Sequence, residues 1–397
     1  MGIECTFLGH NSKSRSGRVR RFELPGTRTR VTRITTFCPD VVGPGPTHIY
    51  LIESDVIVLM DTGIPTSLAK KLFYTWRGEP VPPEIEALPS DYSERQIAAG
   101  LQAAGYGFGD IDLLVISHGH PDHFLQGSSI LRHGKTKVLA HLFETSAICN
   151  PWEMLSRWIS GREKIVALGM PEPSYPSRKL SDHVNHEARG LAFPVHIPVF
   201  RDSPLRINGS KTDHIHVKHL PGHSAGSIGL LVGRQDEQRI LLPGDAILYP
   251  ITPIPGDLLS YLRTLRKLER LEDIAIVLPA HGKAIKDLRA RVLFLQNHHY
   301  RRLKLTYEAC RTPRTLWEIA TMPRYFDIRL DPDKFNPLAS TETLAHMELL
   351  LMAGGIFRSH IRNGVHYFQN SGEPFTEVYE RVLELVKEEK VHPILRY

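Results

Sequence analysis

Between residues 116 and 123 the chain reads Ile-Ser-His-Gly-His-Pro-Asp-His, which crowds three imidazoles and a carboxylate onto the end of an apolar run. Residues 113–116 have the pattern of a buried strand and 124–131 that of a helix start, so these side chains belong to a strand-to-helix turn. Side chains alternate along an extended segment, which lets His118 and His120 face one way and grip one cation. Pro121 then bends the chain, carrying Asp122 and His123 toward a second cation beside the first. Asp122 also suits a helix N-cap. The alternative is a polar histidine-rich loop without metal. Four ligand-type side chains within residues 118–123 favour the dinuclear centre, and a centre of that kind needs further ligands from elsewhere in the chain.

Candidates follow in order, each at the end of an apolar, strand-like run. Leu220-Pro221-Gly222-His223-Ser224-Ala225-Gly226-Ser227 offers His223, Pro243-Gly244-Asp245-Ala246 offers Asp245, and Pro279-Ala280-His281-Gly282 offers His281. Each alone reads as a turn residue; their repeated placement beside glycine at strand ends is what a turn does not explain.

In these motifs the chain resembles the metallo-β-lactamase superfamily over residues 30–296. The resemblance implies an αββα sandwich in which His118, His120 and His223 hold a first metal. Asp122, His123 and His281 would hold a second, and Asp245 would bridge both. Asp61, in Met60-Asp61-Thr62-Gly63, matches the family's early aspartate, which supports the histidine cluster from behind. Every ligand position is filled, as in a catalytic member.

At 397 residues, 41% hydrophobic and 23% charged, the chain has the size of two domains and the composition of a globular protein. No apolar stretch is long enough to span a bilayer and no signal-peptide core precedes the body, so a cytoplasmic location without membrane contact is expected. The four cysteines, Cys5, Cys38, Cys149 and Cys310, are widely spaced and suggest neither disulfides nor a thiolate site. Met1-Gly2-Ile3-Glu4-Cys5-Thr6 formally fits N-myristoylation, a short pattern frequent by chance. Residues 1–29 read as a basic leader, with an edge strand as the alternative within 12–33. The net charge of +6 leaves nucleic-acid binding open without indicating it.

Strands are expected over 30–37, 47–53, 56–61 and 137–140, with helices over 67–76 and 93–104. An insertion, about 141–206, carries Phe143, Trp152, Met154, Trp158, Met170 and Tyr175, which suit either a pocket lining or a small core of the insertion's own. Tyr249, shortly beyond Asp245, is a candidate for polarising a substrate carbonyl, packing being the alternative. A helix with Leu258, Leu262, Leu265 and Leu268 on one face would turn Arg263, Arg266, Lys267 and Arg270 to solvent. A helix over 284–305, with His298 and His299 outside the metal motifs, joins a unit spanning 297–397. There, a short helix from Thr315, a helix over 340–353, a hairpin turning at Asn363-Gly364 and a last helix over 373–389 resemble the winged-helix domain of one branch of the superfamily. That branch includes endoribonucleases, but residues 340–353 carry Glu342 and Glu348 and no Lys or Arg toward phosphates. Packing on the body, homodimer formation or walling the active site fits that helix better than nucleic-acid binding.

The ligand set sets the chemistry. Two divalent cations sharing Asp245 and a solvent molecule would bring that water's pKa to about 7 and give a bridging hydroxide at neutral pH. Asp122, Asp245 and Tyr249 form the candidate catalytic set. Ligands without cysteine suit zinc, and also iron or manganese. The leading expectation is a hydrolase of a small-molecule ester, thioester, lactone or amide. The alternatives are a metal-dependent endoribonuclease or phosphodiesterase, and a di-iron redox protein. The stretch 221–227 resembles hydroxyacylglutathione hydrolase, but a winged-helix-like unit stands where that enzyme has its glutathione-binding helices.

Overall fold

A computed structural model describes residues 3–9, 17–24, 30–40, 43–77, 80–156, 167–171, 184, 186–207, 214–234, 237–334 and 336–387. Met1 and Gly2 of the myristoylation pattern, Trp158, Tyr175 and residues 388–389 of the expected last helix lie outside them. One compact unit takes the described residues within Met1–Ile159, Tyr175–Pro253 and Leu271–Leu288; the other takes those within Ser160–Ser174, Ile254–Arg270 and Arg289–Tyr397.

The first unit is built on two sheets. Strands β1 (Glu4–Gly9), β2 (Val19–Glu23), β3 (Arg30–Thr36), β4 (Thr47–Glu53), β5 (Ile57–Met60), β6 (Leu113–Val115), β7 (Lys137–His141) and β8 (Ile197–Val199) lie side by side in chain order. They pair antiparallel from β1 to β5 and parallel from β5 to β8. The second sheet has the order β13-β12-β11-β10-β9, from β9 (Ser203–Pro204), β10 (Ile215–His219), β11 (Ile228–Val232), β12 (Arg239–Leu242) and β13 (Ile274–Val277).

The two-residue period sorts the apolar side chains of the first sheet onto its two faces. Ile49, Leu51, Leu59 and Leu114 join a core with Leu68, Leu72, Ile97 and Leu101 of helices Thr66–Arg77 and Tyr92–Ala104. The alternate residues Tyr50, Ile52, Val58, Met60, Leu113 and Val115 meet Val217, Leu230, Val232, Ile240 and Leu242 between the sheets. At about 1.5–3 kcal/mol for each fully buried large aliphatic side chain, these two cores fix the strand register. The strand ends that carry the candidate ligands are held with it.

The described part of residues 1–29 is not a solvated leader: it forms β1 and β2, which extend the first sheet. Within that part Arg21 lies 3.0 Å from the buried Glu53, and in β3 Arg30 lies 3.0 Å from Glu23. The insertion's described apolar residues do not share a core of their own. Trp152 and Met154 pack on the first unit's helix-side core, Met170 packs with Trp317, Ala320 and Ala339 of the second unit, and Phe143 is 47% exposed.

The second unit contains helices Leu258–Glu269, Leu288–Ala309, Leu316–Ala320, Pro337–Met352 and Phe375–Lys387, and the hairpin of β14 (Ile356–Arg362) and β15 (Val365–Asn370). Thr315 caps the short helix by accepting from Glu318 N at 3.1 Å, while Glu318 accepts from Thr315 N at 2.8 Å. Asn363 and Gly364 take the hairpin turn at φ 51° and 78°. The basic face of Leu258–Glu269 is not fully solvated: Arg263 is half-buried and donates to Leu385 O at 2.7 Å, in the last turn of helix Phe375–Lys387, where carbonyls lack intrahelical donors. Glu342 is also buried, beside His298 and Arg302, and is no part of an acidic surface.

Below it lies a buried histidine pair. His346 Nδ1 donates to Glu342 O at 2.7 Å, so its Nε2 accepts from His299 Nδ1 at 3.1 Å. Burial holds His346 down to about 4. In the unfolded chain it titrates near 6.5, so the unfolded state binds more protons between those values and stability falls as pH drops through that window. Urea midpoints at pH 7 and pH 5 should show this loss, amounting to roughly 3 kcal/mol from His346 once the whole window is crossed. The loss should shrink in His346→Gln.

Candidate metal centre

Of the seven candidate ligands, His118, Asp122, His123, Asp245 and His281 are buried, and all seven enter three convergent groups. His118, His120 and His223 form one, His118, His123 and Asp245 another, and Asp122, His123 and His281 the third, with ligand atoms in each group within 4.8 Å of one another. His118 and His120 stand in the turn after β6, Asp122 and His123 in the short helix Pro121–Phe124 that follows it, His223 after β10, Asp245 after β12 and His281 after β13. Both sheets therefore contribute to one site.

Hydrogen bonds on the far side of three imidazoles set which nitrogen faces inward. Asp61 accepts from Ser117 N at 2.7 Å, from Ser117 Oγ at 2.8 Å and from His123 Nδ1 at 2.9 Å. His123 thus turns Nε2 inward, 3.6 Å from Asp122 Oδ2 and from Asp245 Oδ2. Because the Ser117 proton is given to Asp61, Ser117 Oγ accepts from His118 Nδ1 at 3.0 Å, and His118 also presents Nε2. His281 Nδ1 donates to Pro46 O at 3.2 Å, which leaves its Nε2 facing Asp122 Oδ2 at 3.2 Å. On the other side of the cluster His120 Nδ1 and His223 Nε2 lie 2.9 Å apart.

The carboxylates fill the space between these nitrogens. Asp245 Oδ2 is 3.6 Å from both His123 Nε2 and His223 Nε2, and Oδ1 is 3.7 Å from His281 Nε2, so Asp245 touches both ligand groups. Asp122 Oδ2 accepts from Thr47 Oγ1 at 3.4 Å. Asp122 is not an N-cap: His120 holds that position on helix Pro121–Phe124, Pro121 takes the first turn, and the Asp122 side chain is drawn to His281 instead.

The residues fit a cation. His118 Nε2 and Asp245 Oδ1 are buried and have no hydrogen-bond partner among the described residues, a costly state for polar atoms. Burial and the neighbouring imidazoles push His118 well below the usual histidine range and His120 down to about 3, which keeps both as neutral ligands. Burial alone would also lower His123, but Asp122, Asp245 and Asp61 outweigh it and raise its proton affinity. Clustered imidazoles and carboxylates without thiolate suit a borderline divalent ion. Cys38 Sγ, 4.0 Å from Asp122, is a buried thiol that burial pushes up toward the protonated form.

Tyr249 differs from the ligands in being 43% exposed. Its backbone is tied beside His281: Tyr249 O accepts from Lys283 N at 2.7 Å and the residue bridges to Gly282. Gly282 has φ 80°, and a Cβ there would collide with Tyr249 O. Gly282→Ala should therefore displace both Tyr249 and His281, lowering turnover at least roughly tenfold. Side-by-side kinetics and thermal melts check this, since loss of activity should exceed loss of fold.

Three supports had no motif to announce them: Ser117, the Pro46 carbonyl and Thr47. Only the adjacency of Ser117 to His118 hinted at the first.

A family model described as the metallo-beta-lactamase superfamily matches residues 42–281. A probable metallo-hydrolase of Bacillus subtilis (strain 168), YqjP, is 24% identical over 269 residues, which cover 64% of this chain and 72% of that protein. Among solved structures, a metallo-beta-lactamase family protein from Thermus thermophilus aligns with TM-score 0.60 and 21% identity over 86% of this chain and 98% of its own. A beta-lactamase domain protein from Burkholderia ambifaria aligns with TM-score 0.64 and 19% identity over 91% and 96%. At those identities the two structures speak for the fold.

Proposed function

The chain belongs to the metallo-beta-lactamase superfamily, and from that premise we propose that it is a dinuclear metal-dependent hydrolase of a small-molecule ester, thioester, lactone or amide. The observation that carries this reading is the convergence of seven imidazole and carboxylate side chains in overlapping groups, with Asp245 reaching both ends of the cluster. His118, His120 and His223 would hold one ion, Asp122, His123 and His281 the other, and Asp245 both. When bound, two divalent ions, with zinc the best match to the donors, supply Lewis acidity and bring a water's pKa to about 7.

The protein's own part is orientation. Asp61, Ser117 and Pro46 O fix the inward nitrogens before substrate arrives, so the site needs no reorganisation during reaction. Asp122 and Asp245 are held in the ionised form: burial disfavours it, but the adjacent His123 and His281 outweigh burial. Asp245 Oδ1, which has no hydrogen-bond partner among the described residues, would face the ions. The exposed Tyr249 phenol would meet the substrate carbonyl oxygen.

We read the C-terminal stretch as winged-helix-like, on its order of helix, helix, hairpin and helix. Helix Pro337–Met352 has no Lys or Arg, which speaks against a nucleic-acid reader. No helix among the described residues is long and apolar enough to cross a membrane, and the cytoplasm is the proposed location. The test is one metal-quantified preparation assayed on chromogenic esters, thioesters, lactones and β-lactams beside structured and single-stranded RNA. Turnover of a carbonyl substrate is expected; cleavage of RNA alone would replace this reading with a nuclease.

A further inference from the structure

Glu144 stands just beyond β7, three residues after His141, and is 6% exposed although no Lys or Arg pairs with it among the described contacts. Its partners come from the two loops that carry His118, His120 and His223. Oε2 accepts from Gly119 N at 2.9 Å, the residue between His118 and His120. Oε1 accepts from Ser224 Oγ at 2.7 Å, the residue after His223, and from Gly226 N at 2.7 Å. The first loop belongs to the eight-stranded sheet and the second to the five-stranded one. A single carboxylate therefore joins the loop of His118 and His120 to the loop of His223 across the two sheets.

The glycines on either side record the same contact. A Cβ on Gly119 would stand 2.7 Å from Glu144 Oε2 and 2.8 Å from Ala147 Cβ, and one on Gly226 would stand 2.7 Å from Glu144 Cγ and Oε1. Neither glycine has a positive φ. Their lack of a side chain serves close approach by the carboxylate, not backbone conformation. Glu144 is absent from the groups that converge on a cation, and its oxygens are taken by these donors.

We propose that Glu144 is a positioning residue that sets the separation of the His118/His120 loop from the His223 loop, and so selectively sets the affinity of the three-histidine site for its ion. The proposal rests on the dinuclear reading above. Glutamine has the same shape but only one acceptor oxygen, so in Glu144→Gln either Gly119 N or the Ser224 and Gly226 donors must face an NH2 group.

Zinc titration of the metal-stripped full chain against a chromophoric chelator tests this without reference to activity. The unaltered chain should bind two ions. Glu144→Gln should keep one at unchanged affinity and weaken the other roughly 10–100-fold, the usual scale for groups that orient metal ligands. Ser224→Ala, which removes one donor and leaves the carboxylate buried, should weaken the same ion by a smaller factor. In a His223→Ala background Glu144→Gln should add nothing to the ion that remains. Unchanged affinities in Glu144→Gln, or equal weakening of both ions, would overturn the proposal; should Glu144→Gln fail to fold, Ser224→Ala decides by the same criterion. Fewer than two ions in the unaltered chain would instead strike the dinuclear reading, and Glu144 would then be judged by whether the single ion weakens.

Discussion

Replacing Asp245 with alanine should lower kcat/KM for a carbonyl substrate by about three powers of ten or more, because several kcal/mol of charge stabilisation depend on the cations we propose it bridges. The geometry gives the reason. Asp245 Oδ2 lies 3.6 Å from the nitrogens of both His123 and His223, and Oδ1 lies 3.7 Å from His281, so one side chain reaches both candidate ligand groups. Without it, His123 and His281 keep Asp122 but lose the second carboxylate that supports them. Metal analysis alongside kinetics should show fewer than two ions per chain. Full turnover with two ions retained would contradict the bridging role.

The second large effect is expected at Asp61, which touches no proposed ion. Its carboxylate takes three donors, two from Ser117 and one from His123, and through Ser117 it also fixes His118. Asp61 has φ 65°, a left-handed conformation that Asp and Asn tolerate better than Ala. Asp61→Asn therefore preserves the backbone while replacing one acceptor oxygen with a donor. Metal affinity should fall about 10–100-fold, and activity with it, while Asp61→Ala adds backbone strain and a lower melting temperature. Equal metal affinity in Asp61→Asn would show that the tautomers of His118 and His123 are fixed by something else.

The ligand motifs were legible because their information is local. A strand ends, a glycine or proline turns the chain, and a histidine or aspartate stands at the turn; the period-2 burial of β4 and β5 holds those ends where the pattern puts them. What stayed hidden depends on partners far away in sequence. Residues 1–29 looked like a solvated leader because Arg21 is basic, and only the fold shows Glu53 beside it. The side of helix Leu258–Glu269 bearing Arg263 reads as solvent-facing from its spacing, whereas in the fold Arg263 donates to Leu385 O. Glu144 belongs to no motif and no period. Gly119 and Gly226 are its only trace in the sequence, and a glycine alone does not say what approaches it.

The proposed dinuclear centre is tested most directly by anomalous diffraction above and below the zinc absorption edge, from crystals of the zinc-reconstituted full chain. Two edge-dependent peaks are expected, one among His118, His120 and His223 and one among Asp122, His123 and His281, with Asp245 between them. A single peak, or peaks away from these residues, would contradict the account.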